Sequence, residues 1–243
     1  MRPLFVSFSL DNVIHFTVFY PESQGGEPAI IGGMNLDITH IIIILLVILL
    51  SMTFHEAMHA FVGFWLGDDT AKREGRLTLN PLKHIDPFLT ILLPLGLALV
   101  GAPIFGGAKP VPFNPDRVRG GDWGAALVAI AGPLTNFVLA FIFFGIWAVV
   151  GMPLDGIGGQ FLTAAIAVNL GFFVFNILPI PPLDGSRVLY AVAPEFVRTG
   201  MRAIERFGIM FIFVIVIFFN GPIGSFMAGA INFFISVFGA IFK

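Results

Sequence analysis

A polytopic all-α membrane protein is the fold class this sequence predicts, and three observations predict it. The 243 residues are 57% hydrophobic and only 12% charged, with a mean hydropathy of +0.93, whereas a soluble domain carries about 25% charged residues. Phenylalanine occurs 29 times, more than the interior of a soluble protein of this size can hold. Long apolar stretches follow one another, separated by loops that hold most of the charge. The formal net charge of -2 offers no basic surface for nucleic acid, and the chain is too apolar for disorder. Cysteine is absent. That excludes disulfides, iron–sulfur clusters and thiolate zinc sites, so any metal must be held by histidine and carboxylates.

The elements follow in order. Met1 to Asp37 has one basic residue, Arg2, and no apolar run leading to a small-residue cleavage site, so no signal peptide is expected there. Its apolar residues alternate instead, Val6, Phe8, Leu10 and then Ile14, Phe16, Val18, around the pair Asp11-Asn12. That is the pattern of a small β-hairpin, with Pro21–Gly33 as a flexible loop behind it. Ile41 to Leu66, about 26 residues or ~39 Å as a helix, is long enough to span a bilayer with tilt. Further spans are expected at Trp123–Val150, Phe161–Leu178, Ala203–Phe219 and Ile223–Phe242. Phe88–Val100 is too short to cross and carries Pro94, so a re-entrant segment is the expectation. The fold is thus read as about five to six transmembrane helices with a re-entrant segment and small β-hairpin elements.

Basic residues set the orientation. Lys72, Arg73, Arg76 and Lys83 precede the short stretch, Lys109, Arg117 and Arg119 follow it, and Arg187, Arg198, Arg202 and Arg206 come after the third span. The segment Gly151–Gln160 holds Asp155 and no base. These loops assign a multi-pass protein of the cell membrane with its N-terminus outside, five crossings and Lys243 inside.

Ionisable residues at membrane depth cost several kcal/mol unless paired or metal-bound, which singles out two places. His55-Glu56-Ala57-Met58-His59 is an H-E-x-x-H inside the first span. Four residues at ~100° each bring the two imidazoles onto one helix face, one turn apart, ready to share a metal. Glu56 is placed to reach a metal-activated water without being a ligand. Two histidines leave a catalytic zinc site one protein ligand short. Asp184 is the carboxylate at the end of another span, in Asn176-Ile177-Leu178-Pro179-Ile180-Pro181-Pro182-Leu183-Asp184-Gly185. Its prolines cannot continue a helix, and irregular backbone at that depth must be buried in protein or line a wet cavity. Gly185 permits a turn that presents Asp184; a solvated aspartate at an ordinary helix exit is the other reading of the same residues.

The H-E-A-M-H in the first span, together with N-x-x-P-x-P-P-L-D-G at the end of a later one, resembles the site-2 protease family of intramembrane zinc metalloproteases. Supporting matches are Gly75-Arg76-Leu77-Thr78-Leu79-Asn80-Pro81, His84-Ile85-Asp86-Pro87, Ala108-Lys109-Pro110-Val111-Pro112 and Ala131-Gly132-Pro133-Leu134-Thr135-Asn136. They are similar to the compact prokaryotic branch without PDZ or CBS domains. The resemblance implies one Zn2+ per chain held by His55, His59 and Asp184, with Glu56 as catalytic base. It further implies hydrolysis of peptide bonds within or near transmembrane segments of membrane-protein substrates, as in regulated intramembrane proteolysis, with the site toward the cytosolic side. The chain then divides into an N-terminal extracytosolic hairpin-like segment (1–37), a catalytic membrane core (38–190) and a C-terminal amphipathic helix with transmembrane helices (191–243). A metal-binding membrane transporter and a non-catalytic helix-binding homologue are the alternatives. Glu56 argues against the first, since transport needs no carboxylate in that register.

Weaker signals complete the reading. Asn136 and Asn176 are candidates for binding substrate or a developing oxyanion, with helix-locking polar contacts as the alternative. Lys109-Pro110-Val111-Pro112, held extended by its prolines, offers an edge to an unwound substrate. Arg198, Arg202 and Arg206 recur every fourth residue and form a basic stripe suited to anionic headgroups of the lipid bilayer. Nothing in the sequence specifies an oligomeric state.

Overall fold

A computed structural model describes residues 5–9, 15–19, 38–92, 96, 108–218 and 220–242. Two short strands, β1 (Phe5–Ser9) and β2 (His15–Phe19), pair antiparallel with Phe5 opposite Phe19 and Ser9 opposite His15. Most of the rest of the described chain is helical. The helices are α1 (Ile38–Trp65), the single turn α2 (Thr70–Arg73), α3 (Gly121–Val149), α4 (Gly156–Asn176), α5 (Gly185–Val192), α6 (Glu195–Glu205), α7 (Ile209–Phe218) and α8 (Asn220–Ile241).

Among the described residues four helices are long and apolar enough to cross a membrane: α1, α3, α4 and α8. The 28 residues of α1 and 29 of α3 give about 42–44 Å of helix, well over the ~30 Å of hydrocarbon. α1, α3 and α4 pack on one another through small residues. Ala125, Ala126, Ala129, Ala131 and Gly132 on α3 and Ala165 and Ala167 on α4 are buried, and their short side chains let the backbones approach. Their outward faces stay greasy, with Leu46, Leu50, Leu127, Val138 and Ile142 exposed.

α8 joins this core through phenylalanines that step together. Phe137 of α3 meets Phe234 at 5.4 Å between ring centroids, Phe141 meets Phe238 at 5.2 Å, and Phe144 meets Phe242 at 5.9 Å. Numbers that rise by three or four on both helices mean α3 and α8 run parallel. Phe137 and Phe234 lie sixteen and fourteen residues into their helices, about 24 and 21 Å, so both helices start at nearly the same depth. Most of these rings meet at steep angles, the arrangement aromatic quadrupoles favour.

Where a fifth crossing was expected at Ala203–Phe219, the described residues form α6, a break at Gly208 with φ 53°, and α7. Ten residues of α7 reach only about 15 Å, half the hydrocarbon. α6 is tied at its near end to the start of α3 by Arg198 to Asp122 at 2.8 Å, and α8 sets out from that same depth. α7 therefore begins and ends on one side. Phe242 packs against Phe144 and Gly145 near the far end of α3, so the described chain ends on the side opposite the 66–120 loops rather than beside them. The arginine stripe also has internal work: Arg202 bonds Glu195, Tyr190 and Thr199, which lowers the Glu195 carboxyl below its ordinary range.

The described loop segments 66–84 and 108–120 gather at the end of α1. Gly67, at φ 109°, supplies the left-handed turn that ends the helix. The Arg119 backbone N–H and guanidinium then satisfy the carbonyls of Leu66 and Trp65. Buried Asp68 accepts from the Thr70 N–H and hydroxyl and, at 2.7 Å, from the Asn114 N–H. Burial alone would raise its carboxyl, but those donors and Arg117 outweigh it and hold it below the usual range. The Lys109 N–H donates to the His84 carbonyl at 2.9 Å, so the chain leaving at 84 returns to the same point at 109 with no net crossing. Of the expected re-entrant Phe88–Val100, residues 93–95 and 97–100 lie outside the described residues; Pro87–Leu92 forms a π-helical turn.

If the four candidate spans α1, α3, α4 and α8 are the crossings, Gly75 and Phe242 lie on opposite faces. Topology reporters fused at Gly75 and after Lys243 are expected to give opposite signals, and a like signal from both would restore an odd number of crossings.

Candidate metal centre

α1 carries His55, Glu56 and His59 in its second half, where His55 and Glu56 are buried and His59 is half-buried. Spacing of one turn sets the two imidazoles 4.7 Å apart between centroids and nearly perpendicular, at 84°. After α4 ends, the chain turns through Pro179–Pro182, where the Leu183 N–H reaches back to the Ile180 carbonyl at 2.8 Å. That turn delivers Asp184 to the histidines. Its Oδ2 lies 3.1 Å from His55 Nε2 and 3.4 Å from His59 Nε2. Ligand atoms of these three residues all fall within 4.8 Å of one another. Atoms bound tetrahedrally to zinc at ~2.0–2.1 Å stand about 3.3 Å apart, so the spacing fits.

The outer ring nitrogens explain why the inner ones are free to bind a cation. His55 Nδ1 is 2.5 Å from Asn136 Oδ1, and His59 Nδ1 is 2.8 Å from the Val128 carbonyl. Both partners are carbonyl oxygens and can only accept, so each Nδ1 carries the proton. Each Nε2 then turns a lone pair toward the Asp184 carboxylate. Three electron-rich atoms facing one point are stable only with a cation among them, which is what a metal supplies.

α3 shapes this arrangement with Val128 and with three residues of one motif, Gly132, Pro133 and Asn136. Gly132 leaves the space that the imidazoles fill: a Cβ there would stand 2.7 Å from His55 Nε2 and closer still to His59 Nε2. Pro133 has no N–H for the Ala129 carbonyl and loosens the helix ladder, and the adjacent Val128 carbonyl takes the His59 bond. One turn on, Asn136 is fully buried. Its Nδ2 donates to Asn169 Oδ1 at 2.9 Å and to the Ser51 carbonyl at 3.3 Å. Asn169 in turn donates to Ser51 Oγ at 2.9 Å and to the Ala165 carbonyl at 2.8 Å. The amide orientation of Asn136 follows from that network.

Of the residues singled out from the sequence, the structure brings His55, His59 and Asp184 into one group. Glu56 sits beside it, its Oε2 accepting from the Val111 N–H at 2.8 Å. Asn136 makes the helix-locking contacts that were the second reading of this residue: its polar atoms meet His55, Asn169 and Ser51 at 0% exposure. Asn176 donates to the Phe172 carbonyl of its own helix at 3.0 Å and is not one of the converging residues. Gly185 directly follows the turn that presents Asp184 and packs closely there, since a Cβ would press into the Ile177 carbonyl. The Gly132 clearance, the Val128 carbonyl and the Val111 N–H escaped sequence reasoning. Gly-Pro within an apolar helix, one turn before a buried asparagine, was the available signal for the first two.

Comparison with known proteins agrees with this chemistry. No protein-family model matches the chain, and no solved structure matches it. The chain is 40% identical over 193 residues to "Putative zinc metalloprotease YwhC" of Bacillus subtilis, covering 76% of this chain and 83% of that protein. It is 33% identical over 161 residues to "Putative zinc metalloprotease MJ0611" of Methanocaldococcus jannaschii, covering 64% of this chain and 73% of the relative. With "Putative zinc metalloprotease Rip2" of Mycolicibacterium smegmatis it shares 31% over 170 residues and spans 64% of that longer protein.

The α3 contacts are testable by metal content. Gly132→Ala is expected to displace an imidazole and abolish stoichiometric zinc in the purified protein. Asn136→Leu releases the His55 ring, and in the folded fraction of that variant zinc affinity is expected to fall about 10- to 100-fold in a competition titration.

Proposed function

The chain belongs to the site-2 protease family of membrane zinc metalloproteases, and from that premise we propose that it hydrolyses peptide bonds in the transmembrane segments of other membrane proteins. In this reading His55, His59 and Asp184 hold one zinc ion, and Glu56 is the general base. The observation that carries it is the convergence of two Nε2 lone pairs and one carboxylate oxygen beside a glutamate, inside an apolar bundle.

When bound, zinc supplies Lewis acidity toward a water molecule and toward the scissile carbonyl. The chain's own residues do the rest. Asp184 and the two histidines orient the ion, and the Nδ1 partners Asn136 and Val128 hold each ring in its plane. Glu56 takes a proton from the attacking water and returns it to the leaving amine, a contribution worth about 10²–10⁴-fold. Asn136 and Asn169 act as supports of the metal ligands. Asn176, beside the proline turn, remains the candidate to meet substrate.

Depth and access follow from α1. His55 and His59 lie ten and six residues before its end at Trp65, about 15 and 9 Å below it. Side-chain exposure rises from 4% at His55 to 13% at His59 and 23% at Asp184, so the way in passes the aspartate. The seven basic residues of the 66–120 loops support a cytosolic assignment for that side, in the cell membrane. Helical substrates hide their amides in hydrogen bonds, so cleavage requires local unwinding, and spans containing Gly, Pro or Asn are the favoured class. Cleavage of such spans to release a tethered segment is the regulated intramembrane proteolysis this reading supports.

Glu56→Gln is expected to abolish cleavage of a single-span substrate panel while keeping one zinc per chain. His59→Ala and Asp184→Ala are expected to lose the zinc as well. Near-normal turnover in Glu56→Gln would exclude the role given to Glu56.

A further inference from the structure

We propose that the backbone N–H of Val111 positions the Glu56 carboxylate for proton transfer, so that the Pro-Val-Pro segment is part of the reaction machinery. The proposal rests on Glu56 acting as the base. Glu56 Oε2 accepts from Val111 N–H at 2.8 Å, across 55 residues of sequence. A carboxylate on α1 can swing about its side-chain torsions, and a fixed donor on one oxygen restricts that swing while leaving the other oxygen outside that bond. Turnover is sensitive to such placement, since an error of about 1 Å at a reacting group can cost ~10²-fold.

The sequence isolates this one donor. Pro110 and Pro112 have no N–H, so Val111 supplies the single backbone donor of residues 110–112. As the residue before a proline, Val111 is also confined to extended backbone. The segment is fixed on both sides of that donor. Lys109 is gripped twice, its N–H on the His84 carbonyl at 2.9 Å and its carbonyl by Arg76 Nη2 at 2.6 Å. Asn114 is held through its N–H by Asp68 at 2.7 Å. Arg76, Asp68 and His84 are all buried. A segment anchored before and after, with one donor between two prolines and that donor on Glu56, is a rigid mount for the carboxylate.

The test removes the donor and little else. Val111→Pro is expected to lower kcat about 10- to 100-fold with KM and zinc content held, and Val111→Ala, which keeps the N–H, to restore most of the lost turnover. A second reading is independent of turnover: in 15N-labelled protein, Glu56→Ala is expected to move the Val111 amide proton upfield as its charged acceptor disappears. Wild-type kcat in zinc-loaded Val111→Pro, or a loss confined to KM, would overturn the proposal. If Val111→Pro fails to fold, an unmoved Val111 amide in Glu56→Ala overturns it instead. Absence of cleavage by zinc-loaded wild type, with the amide shift intact, would instead sink the protease reading and with it the role of this donor.

Discussion

Two imidazole lone pairs and a carboxylate oxygen aimed at one point, in surroundings that hold little water, repel one another unless a cation lies between them. Much of the polar chemistry inside this bundle is arranged around that constraint. Both Nδ1 protons are committed outward, to Asn136 and to the Val128 carbonyl, which fixes the tautomer of each ring. The donors of Asn136 are committed in turn, to Ser51 and Asn169, and Asn169 closes on Ser51 and Ala165. A buried amide with a missing partner costs about 1–3 kcal/mol, so each link of the chain is needed once the first is made. The network touches α1, α3 and α4, and the same bonds that orient the histidines hold the three helices in register.

α3 is the element on which this depends most. Gly132, Pro133 and Asn136 give clearance, an opened backbone and an acceptor within five residues. None of them contributes a ligand atom, yet each determines where one goes. The loop hub at Asp68 does for Glu56 what α3 does for the histidines. It fastens residue 114, while Arg76 and His84 fasten residue 109, and the stretch between them lies against the glutamate.

The site was more legible in the sequence than the topology was. His55 and His59 are one helical turn apart whatever surrounds them, and ionisable residues stand out in apolar helices. Asp184 could be picked because a chain without cysteine offers few other donors at that depth. Asn136 stayed between a substrate contact and a helix-locking one because a sequence does not say which face of α3 meets α1. Gly185 was legible as the residue that lets the turn present Asp184, but its close approach to the Ile177 carbonyl was not. The apolar run from 203 to 242 is hard to read for a different reason: hydropathy counts greasy residues but cannot tell a second crossing from a short helix lying on one side. Gly208 and the Phe137–Phe234, Phe141–Phe238 and Phe144–Phe242 contacts make that distinction, and contacts between elements far apart in sequence are not written in a local pattern.

The parallel seam between α3 and α8 has a consequence for how the chain enters a bilayer. An even number of passes puts Ile38 and Phe242 on the same face, together with the short Val150–Asp155 connection. On the cytosolic assignment proposed above, the polar loops with most of the basic residues never need to be carried across. Of the described connections between the four long helices, the short Val150–Asp155 stretch is then the one that passes through the lipid. Membrane integration and the gathering of the charged loops beneath the site are then two results of one parity.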